Sequence, residues 1–512
     1  MAVGRTHAVS LLGLRGAIVE IEADISANLP FFVLIGLPDA ALGEAKDRVR
    51  AAATNSGCDL PPHKITVNLS PAALPKHGSG FDLGIALAIL ASAGTVDPAS
   101  VDRVVHLGEL GLDGRLRPIA GILPAVVGAQ AAGFTTVMVP TGNAEEAALV
   151  PGVRVVAAAS LLDAVIWHGG EFEPVPVEPI LGHLPVAPEH DDQLDLADVI
   201  GSADSVEAML AAAAGGHHVF LLGPPGAGKT MLAARLPGLL PALSPEDALE
   251  VSSLRSLAGL PVGSALPTRP PLESPHHTAT AAALIGGGSG LIRPGAAARA
   301  SHGVLFLDEA PEFPSSVLDA LRQPLESGVI SIHRANSVAH FPGAFQLVMA
   351  ANPCPCGQYG ARDSDCTCTP TARRRYLGRI SGPLLDRIDI QLRVNRITSA
   401  QLRLADDTPR MSTAVARGRV LAAREAAAAR LASTPWTLNS HVPGPWLRSA
   451  RMRLAPSTTA SIDRALERGG ITMRGYDRVL RLGWTLADLD GRDIPGADHV
   501  GRALYLRKAM NS

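Results

Sequence analysis

GPPGAGKT occupies residues 223–230: Gly223, Pro224, Pro225, Gly226, Ala227, Gly228, Lys229 and Thr230. The apolar run HVFLL precedes it and MLAARLPGLL follows. The stretch fits G-x-x-x-x-G-K-[ST], in which glycines let successive backbone N–H groups turn inward around a phosphate. Lys229 adds a point charge toward β- and γ-phosphates, and Thr230 offers a hydroxyl to Mg²⁺. A merely structural glycine turn is the competing explanation. A buried strand before it and a helix after it favour the phosphate cradle.

Downstream, VLFLDEAPEF (Val304 to Phe313) carries four apolar residues into Asp308 and Glu309. A buried strand would deliver this pair to its carboxyl edge, beside the phosphate loop. There Asp308 suits Mg²⁺, and Glu309 suits orienting and deprotonating an attacking water. The plainer alternative is a capped strand end with solvated acids. FQLVMAANP ends in Asn352, whose amide could hold the same water from the other side, or simply cap an Asn-Pro turn. Arg387 in LLDRID and Arg474 in MRGYDRVLR are not singled out by spacing, because a lone arginine is ordinarily a surface or ion-pair residue.

The surrounding chain is long enough for about three domains. Residues 1 to about 165 alternate short β-like runs (AIVEIEA, FFVLIG, KITVNL, VVHLGEL, TTVMVP) with Ala-rich helical stretches, the grammar of an α/β domain. A Pro- and Glu-rich stretch from about Gly169 to Pro188 reads as a linker. The phosphate loop and its partner strands predict a parallel sheet, and from about Thr398 the chain is nearly all helix-like. The expected division is residues 1–167, a linker over 168–194, a nucleotide-binding core over 195–396 and a helical region over 397–512.

Charge is nearly balanced, 45 basic against 48 acidic residues, so any nucleic-acid contact must be local to a loop or channel. GVISIHRANSVAHFP (Gly328 to Pro342) reads as a β-hairpin with Arg334 to Ser337 at its tip, where Arg334 could grip a phosphate backbone. A solvated turn is its plain alternative. The insert from about Ser252 to Ala300, with Arg255, Arg269, Arg293 and Arg299, is a second candidate. No apolar stretch is long enough to span a membrane, and the start is too broken for a signal peptide, so a cytoplasmic location is expected. Of five cysteines, Cys354, Cys356, Cys366 and Cys368 fall within fifteen residues, a set able to supply four thiolates to Zn²⁺. Free thiols or a redox pair are the alternatives. His276 and His277 are adjacent and would point apart on a regular element, and His217 and His218 read as packing or surface residues.

The set PHHTATAAALIGGG (Pro275 to Gly288), GVLFLDEAPEF, ANPCPCG and RISGPLLDRIDI resembles the magnesium-chelatase-like AAA+ ATPases, in the ComM/YifB branch of competence-associated branch-migration helicases. The likeness runs from the first strand to the last helix. It implies that Lys229 and Thr230 are the Walker A pair, Asp308 and Glu309 the Walker B pair and Asn352 sensor 1. It also implies that Arg387 is the finger given to a neighbour's ATP, that Arg474 is sensor 2, and that the protein forms a homo-oligomer, a hexameric ring. RVLRLGWTLADL departs from the family's RVLRVARTIADL, with Gly483 and Trp484 in place of Ala and Arg. PGAAARASHG lacks the acidic residue common after that PG.

The first domain resembles the proteolytic domain of Lon proteases, a ribosomal S5 domain 2-like fold, through PKHGSGFDLGIALA and GELGLDGRLRPIAGILPAVVGAQAAGFTTVMVP. Aligned on the glycines, the serine position falls on Asp82 and the lysine position on Leu123. A Ser-Lys dyad needs a hydroxyl and an amine in reach, and Ser79 is offset by three residues, so no protease activity is expected. The fold class is therefore α/β multi-domain: this N-terminal domain, a central P-loop AAA+ domain with a parallel sheet, and a C-terminal helical lid. The resemblance implies ATP-driven movement on single-stranded or branched DNA in homologous recombination and natural transformation. A chelatase-type motor remodelling a protein partner is the alternative; an ATP-dependent protease and a non-catalytic scaffold are opposed by the residues above.

Overall fold

The computed structural model describes residues 3–36, 40–182, 194–200, 203–288, 291–334, 337–360, 366–405 and 410–508. Most of the expected linker's second half (183–193), two residues of the hairpin tip (335–336) and part of the cysteine loop (361–365) lie outside them.

The first sheet has seven strands. From edge to edge they are Phe31–Ile35, Lys64–Ser70, Arg15–Ser26, Gly4–Leu12, Val105–His106, Thr136–Pro140 and Arg154–Ala158. Its first members pair mainly antiparallel and its last three parallel. KITVNLS shows why such a segment is a strand: Ile65, Val67 and Leu69 alternate inward while their neighbours stay half-exposed. Helix Asp82–Ala93 is apolar nearly all round, and it is buried nearly all round, packed on Gly4–Leu12 and Arg15–Ser26.

The second sheet is wholly parallel, in the order Leu272–Glu273, Val304–Leu307, Gln346–Ala351, Val219–Leu222, Ile390–Arg393. VFLL, VLFL and QLVMAA are buried at every position, as expected of strands covered on both faces. A parallel sheet puts all carboxyl ends on one edge, so the residues after 222, 307 and 351 meet there. The hairpin also forms, with Val329–Arg334 antiparallel to Ser337–Pro342.

The last part is helical: Thr413–Leu431, Pro456–Glu467, Met473–Leu489 and Ala497–Lys508. It grips the amino end of the parallel sheet. Arg478 Nη1 donates to Asp389 Oδ1 at 2.6 Å and Arg507 Nη1 to the Ile388 carbonyl at 2.5 Å.

The first sheet is also locked to the nucleotide core. Leu11, Leu12 and Leu14 pack into the core around the parallel sheet. The Gly121 amide donates to the Ser256 carbonyl (3.0 Å) and the Leu123 amide to Ser256 Oγ (3.3 Å). The α/β architecture with a parallel sheet and a terminal helical region is thus the one anticipated. No helix among the described residues is long and apolar enough to cross a membrane.

Candidate nucleotide site

The loop after Val219–Leu222 turns at Gly226 (φ 75°) and Gly228 (φ 88°), left-handed conformations that glycine adopts without strain. At Gly223 the constraint is space, since a Cβ would sit 2.1 Å from the Val394 carbonyl oxygen. Lys229 opens the next helix and is nearly buried. Its Nζ donates to the carbonyls of Gly223 (2.6 Å) and Pro224 (3.0 Å) and to Asn352 Oδ1 (3.1 Å). Burial lowers the Lys229 pKa, while the nearby Asp308 and Glu309 charges oppose that.

Thr230 Oγ1 donates to Asp308 Oδ2 at 2.8 Å. Asp308 in turn accepts the Glu309 amide at 2.9 Å. Glu309 holds a left-handed backbone (φ 51°), a strained conformation for a residue with a side chain and one that clusters at functional sites. The structure thus brings Gly223–Thr230, Asp308, Glu309 and Asn352 to one sheet edge. A lysine and a hydroxyl–carboxylate pair converging beside a glycine turn that opens a helix are a donor set that suits phosphates and Mg²⁺.

Two neighbours of this site are not legible in the sequence. His277 Nδ1 lies 3.3 Å from Glu309 Oε2, although the sequence ties the histidine pair only to the insert. Arg396 Nε donates to the Pro225 carbonyl at 3.0 Å, fixing the loop from the far side. The PHHTAT run is conspicuous, but nothing local connects it to Glu309.

Arg387 and Arg474 lie elsewhere. Arg387 precedes the Ile390–Arg393 strand, at the amino edge of the sheet, where it pairs with Glu326 and donates to the Pro383 carbonyl at 2.6 Å. Arg474 is exposed, one turn before Arg478, and Arg478 is bound to Asp389 at that same edge. A cleft of about 750 Å³ opens there, lined by Arg387, Arg424, Arg478 and Arg481 among others.

The remaining candidates divide as follows. Arg299 forms a two-pronged pair with Glu273 (2.8 and 3.2 Å), and Arg255 donates to the Pro261 carbonyl at 3.3 Å. Arg269 lines a second cleft and Arg293 is exposed. His217 and His218 are internal: His217 Nε2 contacts Thr485 Oγ1 at 2.8 Å, and His218 Nδ1 accepts the Leu347 amide at 3.0 Å. In the first domain Asp82 is buried against Arg48 (2.7 and 3.0 Å), Leu123 is fully buried, and Ser79 donates to Glu109.

The four cysteine sulfurs do converge, all within 4.8 Å of one another. Cys354 is buried, Cys356 exposed, and Cys366 and Cys368 intermediate. The Gln358 amide and then the neighbouring thiols pull the Cys356 thiol down to about 6.

Residues 195–402 match the family described as "Magnesium chelatase, subunit ChlI", residues 21–143 "Subunit ChlI of Mg-chelatase", and residues 410–507 "Magnesium chelatase, subunit ChlI C-terminal". An uncharacterized protein of Mycobacterium tuberculosis is 48% identical over 99% of both chains. Competence protein ComM of Haemophilus influenzae is 39% identical over 99% of this chain and 98% of its own. The uncharacterized protein YifB of Escherichia coli is 37% identical over 99% of this chain and 97% of its own. A shorter likeness, 30% identity over 32% of this chain and 20% of the relative, is to the Lon protease of Mycolicibacterium smegmatis. Given likeness of this extent, with the loop, acids and sheet order of a P-loop ATPase beneath it, the chain belongs to the magnesium-chelatase-like AAA+ ATPases, in the branch that holds ComM and YifB.

Proposed function

We propose that this chain is one protomer of a cytoplasmic ring, a hexamer, that hydrolyses ATP with Mg²⁺ and uses subunit closure to move along single-stranded or branched DNA. The task that suits the family is branch migration in homologous recombination and natural transformation. Residues 1–167 then serve assembly or DNA contact, 168–194 link, 195–396 hydrolyse, and 397–512 form the lid.

In this reading the 223–228 amides and Lys229 hold the phosphates, and Thr230 and Asp308 hold the Mg²⁺, which supplies charge neutralisation when bound. Glu309 orients and deprotonates the attacking water, and Asn352 holds that water from the opposite side. Arg387 and Arg474 act on the nucleotide of a neighbouring subunit, where an arginine in trans accelerates hydrolysis by about 10³ to 10⁵.

One observation carries the shared-site reading. Lys229 and Glu309 follow strand carboxyl ends, whereas Arg387 precedes the Ile390–Arg393 strand at the amino end, where Arg478 of the Met473–Leu489 helix is bound to Asp389. Four residues of strand span about 13 Å, a separation that supports assigning the two halves of the site to different copies. For DNA, the support is the Val329–Arg334 and Ser337–Pro342 hairpin with Arg334 beside its tip.

The test is the ATPase rate with and without single-stranded and branched DNA, followed by strand displacement, with Lys229→Ala as control. DNA is expected to bind and to stimulate turnover. If it does neither while basal ATPase persists, the alternative is preferred: a chelatase-type motor that remodels a protein partner.

A further inference from the structure

The cysteine cluster stands outside the ATP chemistry but next to its parts. Three of its sulfur pairs are 3.3 Å (Cys354–Cys356), 3.6 Å (Cys356–Cys366) and 3.7 Å (Cys354–Cys366) apart. A tetrahedral Zn²⁺ with Zn–S near 2.3 Å needs sulfurs about 3.8 Å apart, so the set is close to that geometry before any metal is added. Hydrophobic packing does not explain the convergence. Only Cys354 is buried, and the other three sulfurs meet at the surface. All four are free thiols, so no disulfide holds them either.

Two contacts tie this cluster to the nucleotide loop. Cys354 is two residues beyond Asn352, whose Oδ1 accepts from Lys229 Nζ at 3.1 Å. The turn closes with the Gly357 amide donating to the Cys354 carbonyl at 2.9 Å. At Gly357 (φ +76°) a Cβ would lie 2.7 Å from Pro225 Cγ and Cδ, so the turn lies directly against the phosphate loop. On the other side Cys368 leads into Thr369, the cap of helix Pro370–Leu377, and Arg373 from that helix stacks 3.8 Å over Tyr359. The segment that carries the four thiols therefore connects Asn352, Pro225 and the next helix.

We propose that Cys354, Cys356, Cys366 and Cys368 bind one Zn²⁺ as a closed four-thiolate site, and that the metal braces the turn that seats Pro225 and Asn352. Each thiol that is still protonated gives up its proton to solvent as its sulfur binds. Four protein ligands leave no open position, so the ion is structural and takes no part in hydrolysis. Zinc binding is independent of the nucleotide reading, whereas the bracing effect rests on it.

The test uses the full chain purified without chelator. Elemental analysis is expected to give one zinc per chain, and Co²⁺ exchanged into metal-stripped protein is expected to show thiolate charge-transfer and tetrahedral d–d bands. Cys356→Ser and Cys366→Ser should each lose the metal while retaining the parent's far-ultraviolet circular dichroism. Removal of zinc should weaken binding of a fluorescent ATP analogue about tenfold, with Lys229→Ala marking complete loss. If either variant does not fold, stripping the parent with a thiol-reactive mercurial, removing the mercury with excess dithiothreitol and restoring the protein with zinc gives the same comparison. A parent with no zinc and no cobalt spectrum, or with disulfides among these cysteines, overturns the metal site. A zinc-bearing parent whose ATP-analogue affinity is unchanged by stripping overturns the brace and leaves the site standing.

Discussion

Glu309 pairs a strained backbone with a carboxylate held 3.3 Å from His277. A group kept in that state is poised to orient, so Glu309→Gln is expected to cut kcat by at least about 10²-fold while nucleotide binding survives. His277 touches Glu309 but none of the other site residues named above, so any effect of it is expected to pass through that carboxylate. His277→Ala is expected to lower kcat by about three- to tenfold and leave nucleotide affinity within about twofold, a split that steady-state kinetics with a binding titration reads directly. The loop, Asp308, Glu309 and Asn352 are legible because each sits at the end of an apolar strand run. His277 is not, because adjacent histidines suggest opposite directions on a regular element. Here they lie on an irregular loop with rings 4.0 Å apart, and only the fold delivers one of them to an acid 32 positions away. Trp484, where the family has arginine, is buried and carries the Arg430 guanidinium 4.6 Å above its ring, which is a packing role.

Between elements, the turn joining Gly4–Leu12 to Arg15–Ser26 is the piece to perturb. Gly13 has φ +64°, and a Cβ there would lie 2.7 Å from the His340 carbonyl oxygen in the hairpin. The first, Lon-like sheet thus stands against Ser337–Pro342, the hairpin strand that pairs with the one ending at Arg334. Gly13→Ala is expected to destabilise the fold by about 1–3 kcal/mol. It should also reduce DNA stimulation more than basal ATPase, as thermal unfolding and paired rate measurements would register; equal losses would deny the hairpin its supporting role. The strands and the hairpin are readable from alternation and apolar runs. The docking of the Ile122–Ala131 helix onto Ser256 is not, because it joins positions 133 apart through a backbone amide that no side-chain pattern encodes.

Across the whole molecule, buried neutral imidazoles set an acid limit. His106 sits between Thr6 Oγ1 (2.6 Å) and His168 Nε2 (2.9 Å), and burial holds its pKa well below the ordinary value. Burial likewise lowers His168 and His218 from 6.5 to about 4. The unfolded chain therefore takes up protons first. The stability these histidines contribute is complete above pH 6.5 and falls as pH drops from 6.5 to about 4. Within that window each of these histidines costs at most about 1.4 kcal/mol for every pH step of one. Thermal unfolding against pH should show this slope, and His168→Gln should flatten it. Asp82 runs the other way. Burial raises it to about 6 against the opposing pull of Arg48, so between 3.8 and about 6 it disfavours the folded state as pH rises.

Balanced charge and the fold class are legible at this scale, but the separation of Lys229 from Arg387 is not, since it depends on which sheet edge each strand end faces. That separation is tested most directly by mixing two inactive variants, Lys229→Ala and Arg387→Ala. If neighbours share one site, the mixture regains ATPase activity, because an intact loop from one copy meets an intact arginine from the other. An assembled Arg387→Ala variant as fast as the parent, or a mixture that assembles together yet stays inactive, contradicts the account.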